Sequence, residues 1–294
     1  MSFKAKIVLH CLPHELDQVM WIMDQLIRSS RYIDPKNYIL DFTLNVSDED
    51  INWLESVLTR EYCIEKFNLL FKKSPFINQN KVSFKQTGCN SVRRNAIRQK
   101  DNTSHIVYLD TDLIFPDNIL YYIENSISLI KDEYYVITPQ IFQLWDASWD
   151  IISHPNYRSI SREKKQWLQN PYQVFEHEPK DIKLLKSPYI KFGGGWFNVF
   201  NKNLLELIDI PDSLGHYGLD DTFVAEASNI LKNNNYNIEQ YILNDIIVKE
   251  DRVYRSYSME KFIKLNHNQN NMRDNSSINY NAEIQNFKNK INEL

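Results

Sequence analysis

Residues 105–116 decide the fold, and their sequence is HIVYLDTDLIFP. An apolar run with β-branched and aromatic residues leads to two carboxylates, and a second apolar run ends at a proline. This pattern predicts a strand that is buried on both faces of a sheet. Asp110 and Asp112 stand two residues apart, so on an extended backbone their side chains project from the same face.

The two aspartates predict a cation site. Two carboxylates on one face repel each other, and burying either beside an apolar strand is costly unless a cation pairs with it. Oxygen ligands of this kind suit Mg²⁺ or Mn²⁺ that keeps water or phosphate oxygens in its other positions. The alternative interpretation is a strand end whose aspartates are simply solvated in a turn.

The composition is that of a soluble globular protein, 43% hydrophobic, and the 294 residues fit one large domain or two small ones. The formal charge of -4 argues against nucleic acid or an anionic membrane as partner. Three widely spaced cysteines indicate free thiols in a reducing compartment. We find no signal peptide and no apolar run near the roughly 18 residues of a membrane span, so we expect a cytoplasmic protein.

Glycine is scarce, and its distribution is informative. The chain has 6 glycines, and five of them fall between residues 193 and 218. Average usage would give about 20 in a chain of this length. Where glycine is rare, the places that keep it often need a positive φ or a close backbone approach. We therefore expect residues 193–218 to form part of a site.

Strand and helix patterns alternate along most of the chain, which predicts an α/β protein with a mostly parallel sheet flanked by helices. The predicted strands are 6–12, 38–46, 82–84, the 105–115 region, 134–139, 189–200 and 241–248, and the predicted helices are 15–30, 51–58, 90–100, 118–131 and 222–232. Residues 140–190 are aromatic-rich and irregular, typical of a covering subdomain or of an acceptor-binding platform. The polar tail 266–294 is either a mobile cover or a frayed end.

Several chemically distinctive residues follow predicted strands. In an open α/β sheet, ligands bind beyond the carboxyl ends of the strands. Pro13, Asp48, residues 110–112 and residues 193–195 all lie at or near such ends. We therefore expect one shared site. The first strand is not followed by Gly-x-Gly-x-x-Gly, and there is no Walker motif, which argues against those two kinds of nucleotide site.

The order of these motifs resembles that of GT-A glycosyltransferases, over roughly residues 5 to 270. Residues 93–97 (RRNAI) resemble the Arg-Asn helix of such enzymes, and residues 109–112 (LDTD) resemble their Asp-x-Asp motif. Residues 192–197 (FGGGWF) and 216–221 (HYGLDD) are similar to motifs of β-1,4-galactosyltransferases and polypeptide N-acetylgalactosaminyltransferases. The resemblance implies a Rossmann-like GT-A catalytic domain over residues 1–265, with an acceptor-side insertion at 140–190 and a polar tail at 266–294.

The resemblance also implies a function and a set of site residues. The implied reaction is transfer of a sugar from a nucleotide-sugar, with UDP as the expected nucleotide, to a hydroxyl of a glycan or glycolipid acceptor, with inversion. Mn²⁺ or Mg²⁺ is expected on Asp112, Asp110 and His267. Asp221 is the expected base, and Asp220 is expected to orient acceptor hydroxyls. The implied donor contacts are Pro13, Asp48, Arg94, Asn95, Asp110, Gly193, Gly194 and Gly195, and the implied acceptor contacts are Trp196 and Tyr217.

The chain departs from the family pattern in three places. Tyr217 or His216 stands where tryptophan is usual, residues 13–15 only loosely resemble the first nucleotide-binding loop, and His267 lies farther from Asp221 than expected. His267 is alternatively a surface histidine, Trp196 a core residue and Asp221 a simple helix cap. A nucleotidyltransferase also uses paired aspartates, although no further carboxylate cluster or phosphate-binding loop supports one. A non-catalytic carbohydrate-binding protein would be expected to lose one of the carboxylate pairs, and both are present.

Overall fold

The structure is a computed structural model that describes residues 3–48, 51, 59–142, 183–187, 190, 197–250 and 278–293. Several predictions lie outside these residues. They concern the three glycines at 193–195, Trp196, His267, nearly all of the segment 140–190 and the helix 51–58 beyond its first residue.

The described residues include ten strands and seven α-helices, besides short 3-10 helices such as Pro13–Glu15. The strands are β1 Ala5–Cys11, β2 Tyr38–Asn45, β3 Ile77–Asn78, β4 Lys81–Ser83, β5 His105–Leu109, β6 Leu113–Ile114, β7 Tyr134–Phe142, β8 Lys183–Ser187, β9 Phe197–Asn201 and β10 Ile238–Glu250. The helices are α1 Leu16–Ser29, α2 Arg60–Leu70, α3 Cys89–Arg98, α4 Ile119–Leu129, α5 Lys202–Ile208, α6 Asp220–Asn233 and α7 at 278–292. None of these helices is both long and apolar enough to cross a membrane.

One sheet joins all the described strands, in the order β3-β2-β1-β5-β9-β7-β10-β6, with β4 on β2 and β8 on β10. Strand β1 runs parallel to both β2 and β5, and β7 runs parallel to β10. Strand β9 is antiparallel to both of its neighbours, β5 and β7. The predicted α/β fold, with a central sheet flanked by helices, is confirmed, although an antiparallel strand lies near its centre.

Apolar residues cover both faces of the sheet, as the continuous apolar runs predict. Along β1, Ile7 and Leu9 join the core beneath α1, α2 and α4, whereas Val8 joins the core beneath α3, α5, α6 and α7. Successive side chains of a strand point to opposite faces, so a strand that is apolar throughout can be buried on both. Strands β1 and β5 are therefore anchored by a core on each face of the sheet, and so is the start of the loop that follows each strand.

Helix α7 is the main difference from the predicted organisation of the tail. Its residues Ile284, Phe287 and Ile291 are buried, and the rings of Phe287 and Phe223 lie 6.1 Å apart. These apolar residues recur at helical spacing within an asparagine-rich segment, whose composition obscured the pattern. Residues 278–292 therefore form a packed helix rather than a mobile cover or a frayed end.

The prediction that Asp110 and Asp112 continue an extended strand is wrong. Strand β5 ends at Leu109, and a turn leads into the short strand β6. The buried side chain of Gln25 on α1 accepts a hydrogen bond from Phe115 N at 2.7 Å and donates one to Leu113 O at 3.1 Å. These bonds fix β6 against α1, and β6 pairs with β10 rather than extending β5.

The three cysteines all belong to the described part of the chain and form no disulfide. Cys11 and Cys63 are buried, and Cys89 is partly buried at the start of α3. This agrees with the prediction of free thiols.

Candidate active site at the carboxyl ends of the strands

Three loops meet at one edge of the sheet. The first follows β1 and contains the short helix Pro13–Glu15, and the second is the turn at residues 110–112 after β5. Because β1 and β5 are adjacent and parallel, these two loops leave the sheet side by side. The third is the segment 209–219, which leads into α6.

Arg93 joins the two acidic motifs. Its Nη1 donates to Asp220 Oδ2 at 2.7 Å, and its Nη2 donates to Asp110 Oδ1 at 2.9 Å. The guanidinium also lies over the ring of Tyr108, 4.9 Å from its centroid. A guanidinium can serve two carboxylates at once because its donors form a rigid fork. The structure therefore brings Asp110 and Asp220 to the same cation.

Arg94 has a different set of partners. Its Nε donates to Ile210 O at 2.8 Å, and its Nη2 donates to Pro211 O at 2.8 Å and to Gly215 O at 3.2 Å. Asn95 is exposed on the outer side of α3. Neither of the two predicted donor contacts on this helix therefore bonds to Asp110 or Asp220. Arg93 makes both of those contacts.

Arg93 was missed as the central residue, although the sequence contains a signal for it. The apolar residues Val92, Ala96 and Ile97 define the buried face of α3, and Arg93 lies on that face, four residues before Ile97. A buried arginine on an apolar helix face needs a partner of opposite charge. The two acidic motifs supply that partner.

The segment before α6 is docked on the start of α3. A Cβ added at Gly88 would lie 2.1 Å from His216 O, so only glycine permits this approach. Asn90 N donates to His216 O at 3.0 Å, and Asn90 Nδ2 donates to Gly218 O at 3.0 Å. These contacts fix the backbone that carries the second acidic motif.

Asp221 lies in the first turn of α6. The chain enters the helix through Gly218 and Leu219, whose φ values are 83° and 60°. Burial and the neighbouring Asp220 raise the pKa of Asp221 to about 6, although Arg93 and the Thr222 hydrogen bonds oppose this rise. The Thr222 N–H donates to Asp221 Oδ1 at 2.7 Å. A carboxylate whose pKa lies near neutrality can accept a proton from a hydroxyl.

The carboxylates of the first motif differ in their contacts. Burial raises the pKa of Asp110 to about 7, with a contribution from Asp112, whereas Arg93 opposes the rise. Asp112 is half-buried in the same turn. Among the described residues, no three His, Cys, Asp or Glu side chains are grouped to hold a metal ion. The oxygen donors of Asp110 and Asp112 nevertheless suit Mg²⁺ or Mn²⁺ completed by ligand oxygens.

Glu15 is a further carboxyl group at this edge, and no sequence pattern singled it out. Burial raises its pKa to about 7, with contributions from Asp112 and Asp110, and hydrogen bonds from Leu12 and Thr111 oppose this rise. Glu15 lies near the carboxylate pair only in the folded chain, which is why the sequence did not indicate it.

The other predicted contacts lie around this edge. Pro13 is buried in the short helix after β1. The Asp48 side chain is 81% exposed and forms an ion pair with Arg60. Tyr217 donates its hydroxyl proton to Thr87 O at 3.2 Å, beside the second acidic motif.

His10, the last residue but one of β1, lies beside Tyr217. Its Nε2 donates to Thr87 O at 2.8 Å, and its ring is 5.7 Å from that of Tyr217. Burial lowers the pKa of His10 to about 4, and the neighbouring Arg93 acts in the same direction. His10 is therefore neutral at physiological pH and contributes no positive charge to the site.

Known proteins resemble this chain in structure. No family model and no curated protein sequence matches it. The crystal structure of GalNAc-T7 with UDP, GalNAc and Mn²⁺ matches with a TM-score of 0.52 and 13% identity, over 84% of this chain and 44% of that one. The mannosyltransferase PcManGT from Pyrobaculum calidifontis, in complex with GDP-Man and Mn²⁺, matches with a TM-score of 0.50 and 12% identity, over 86% of this chain and 59% of that one.

A third structure, S. aureus TarS 1-349 in complex with UDP, gives a TM-score of 0.46 with 12% identity, over 84% of this chain and 60% of that one. The chain thus spans less than two thirds of each of these three proteins. At such low identities the likeness concerns the fold. The chain has the mixed α/β fold of GT-A glycosyltransferases, with a central sheet flanked by helices.

Proposed function

We propose that this protein is a metal-dependent glycosyltransferase. It would move a sugar from a nucleotide-sugar, with UDP as the expected nucleotide, to a hydroxyl of a glycan or glycolipid acceptor. The observation that carries the proposal is the pairing of Arg93 with both Asp110 and Asp220. This arginine connects the carboxylates that are suited to bind a metal with those that include the proposed base. Two similar structures, with TM-scores of 0.52 and 0.50, both contain Mn²⁺ and a nucleotide or nucleotide-sugar, which supports the same conclusion.

Asp112 and Asp110 would hold Mn²⁺ or Mg²⁺ on the donor diphosphate, and His267 is proposed as a further ligand. The bound metal would neutralise the negative charge that develops on the leaving diphosphate. Pro13, Asp48 and the glycines at 193–195 are proposed to line the donor. Trp196 and Tyr217 are proposed to contact the acceptor.

Asp221 is the proposed base. It would take the proton from the acceptor hydroxyl while that oxygen bonds to the anomeric carbon, and the bond from this carbon to the diphosphate oxygen breaks. A single displacement of this kind inverts the anomeric configuration. The raised pKa of Asp221, about 6, supports the role because a base is most effective when its pKa lies near the working pH.

Asp220 is proposed to position the base rather than to take the proton. Its side chain is only 4% exposed and is paired with Arg93, which holds it beside Asp221. That Asp220 orients acceptor hydroxyls stays a prediction. Because this carboxylate is buried, the site would have to open before an acceptor could reach it.

Incubation with a panel of nucleotide-sugars, with and without Mn²⁺, tests this proposal. We expect one donor class to release nucleoside diphosphate and free sugar only when the metal is present. Release of nucleoside monophosphate would instead indicate a nucleotidyltransferase or pyrophosphatase. Thermal stabilisation by free sugars, without any response to nucleotide and metal, would indicate a carbohydrate-binding protein.

A further inference from the structure

Glu15 connects the loop after β1 with the Asp-x-Asp turn. Its Oε2 accepts a hydrogen bond from Leu12 N at 2.7 Å, and its Oε1 accepts one from Thr111 Oγ1 at 3.2 Å. Thr111 is the middle residue of the turn and is 8% exposed. One carboxylate therefore holds two loops together where both leave the sheet.

The turn at 110–112 is held at three points. Arg93 holds Asp110 on one side, and Gln25 holds Leu113 and Phe115 on the other. The bond from Thr111 to Glu15 lies between these two anchors. The turn is not part of β5 and pairs with none of the described strands, so these side-chain contacts orient its side chains.

Helix capping accounts for only one of these contacts. Glu15 is the third residue of the short helix Pro13–Glu15, and its bond from Leu12 N caps the start of that helix, whereas its side chain caps no backbone N–H group of α1. Through the bond from Thr111, Glu15 also reaches the turn. It does so at an electrostatic cost, since its carboxylate lies near those of Asp110 and Asp112.

We propose that Glu15 is a positioning residue for the metal-binding turn. By holding Thr111, it fixes the directions of the two carboxylates on either side and their distance from the loop that contains Pro13. This inference rests on the proposed function, because it assigns Glu15 to the site at which Asp112 and Asp110 would hold the metal. Partners of this outer kind commonly change metal affinity by about 10- to 100-fold when they are removed.

Four substitutions separate positioning from charge. In Glu15→Gln, the amide oxygen can still accept from Leu12 N and the amide nitrogen can donate to Thr111 Oγ1, so the bridge survives without its charge. Glu15→Ala removes the bridge. Thr111→Val removes the hydroxyl that donates to Glu15 and leaves the side-chain volume nearly unchanged. Thr111→Ser keeps this hydroxyl.

The experiment is calorimetric titration of UDP at a series of Mn²⁺ concentrations. The readout is the Mn²⁺ concentration that gives half-maximal UDP binding, and thermal unfolding verifies that each variant is folded. Asp17→Ala is the matched control, since it removes an exposed carboxylate from α1 that pairs with Lys66.

We expect Glu15→Ala and Thr111→Val each to raise the required Mn²⁺ concentration by about tenfold or more. The double variant should be no worse than the more impaired single variant, because both changes remove the same bond. Glu15→Gln, Thr111→Ser and Asp17→Ala should stay within about threefold of wild type.

Three results would overturn the inference. If Glu15→Gln is as impaired as Glu15→Ala, the charge of Glu15 is needed and the residue does more than position the turn. If the two losses add in the double variant, the residues act independently. If all variants bind like wild type, the bridge has no role at the site. Failure of the wild type itself to bind UDP with Mn²⁺ would instead overturn the proposed function, and this inference with it.

Discussion

At the residue scale, the guanidinium of Arg93 pairs with two carboxylates of the site, those of Asp110 and Asp220. The Arg93 side chain is 6% exposed, and Asp220, one of its two partners, is 4% exposed. The other partner, Asp110, is 35% exposed, so solvent screens that pair more strongly. Arg93 must therefore matter to stability mainly through the buried pair with Asp220.

Arg93→Met should destabilise the fold, because it leaves Asp220 buried without a cation. Breaking a buried ion pair by removing one partner costs roughly 3–5 kcal/mol. Urea unfolding at neutral pH measures this loss. Arg98→Met is the control on the same helix, since Arg98 is 43% exposed and its pairs with Asp209 and Asp212 should contribute about 1 kcal/mol or less. Equal effects of the two changes would contradict the assigned role of Arg93.

Asp221→Asn should lower turnover by about two orders of magnitude or more while leaving donor binding nearly intact. Asparagine preserves the size of the side chain and can still accept from Thr222 N, but it cannot usefully take up a proton. In the wild type, kcat/KM should fall about tenfold for each pH unit below the Asp221 pKa of about 6. If the variant turns over within a few-fold of wild type, Asp221 is not the base and only stabilises the start of α6.

At the element scale, helix α3 organises the site. One of its faces packs into the core, and Asn90 and Arg94 hold the segment 209–218 through the backbone oxygens of that segment. The second acidic motif follows directly. Small displacements of α3 should therefore affect Asp220 and Asp221, because α3 holds the preceding segment through its backbone oxygens and holds Asp220 through the Arg93 side chain.

Gly88→Ala tests this docking. The added Cβ would meet His216 O at 2.1 Å, so the segment before α6 must move away from α3. We expect turnover to fall by about tenfold or more, since a misplacement of about 1 Å can cost two orders of magnitude. Lys100→Ala, which alters an exposed residue just after α3, is the control. Unchanged kinetics in Gly88→Ala would show that the segment is not held where the structure has it.

The elements with clear periodicity could be predicted from the sequence, and the others could not. Strands β1 and β2 and helix α1 lie within one or two residues of their predicted ends, because their apolar patterns are regular. Helix α2 was missed because only Cys63 and Phe67 of its residues are buried. The direction of β9 could not be predicted, since a strand's periodicity is the same whether it runs parallel or antiparallel.

The candidate site follows the same division. Asp110 and Asp112 could be selected from the sequence because the pair follows an apolar strand, and Asp220 and Asp221 because residues 216–221 resemble a glycosyltransferase motif. The partners of Arg93 and Glu15 could not be predicted, since their contacts join segments far apart in the chain. The apolar face of α3 is a signal for Arg93, whereas no sequence pattern singles out Glu15.

For the whole molecule, titratable groups buried in the fold couple stability to pH. Burial lowers the pKa of His105 to about 4 from 6.5, at the opposite end of β5 from the acidic turn. The unfolded chain therefore binds a proton between these two pH values that the folded chain does not. The stability contributed by neutral His105 is complete above about pH 6.5 and is lost as the pH falls toward 4.

His105→Gln should accordingly be less sensitive to acid than the wild type. Between pH 6.5 and pH 5, the His105 contribution should fall by about 2 kcal/mol, since each pKa unit corresponds to about 1.4 kcal/mol. Urea unfolding at a series of pH values measures both proteins. The difference between them cancels the other titrating groups, including Glu15 and Asp110, whose raised pKa values act in the opposite direction. Parallel stability curves would contradict the assignment.

The central claim is that the acidic turn after β5 binds a nucleoside diphosphate through a divalent metal, and calorimetric titration of UDP into wild type and Asp112→Asn tests it most directly. Asparagine is nearly isosteric with aspartate but is a poorer metal ligand. The account predicts that the wild type binds UDP only when Mn²⁺ is present, and that Asp112→Asn loses this binding with an unchanged thermal unfolding temperature. Equal metal-dependent UDP affinity in the two proteins would remove Asp112 from the site and contradict the account.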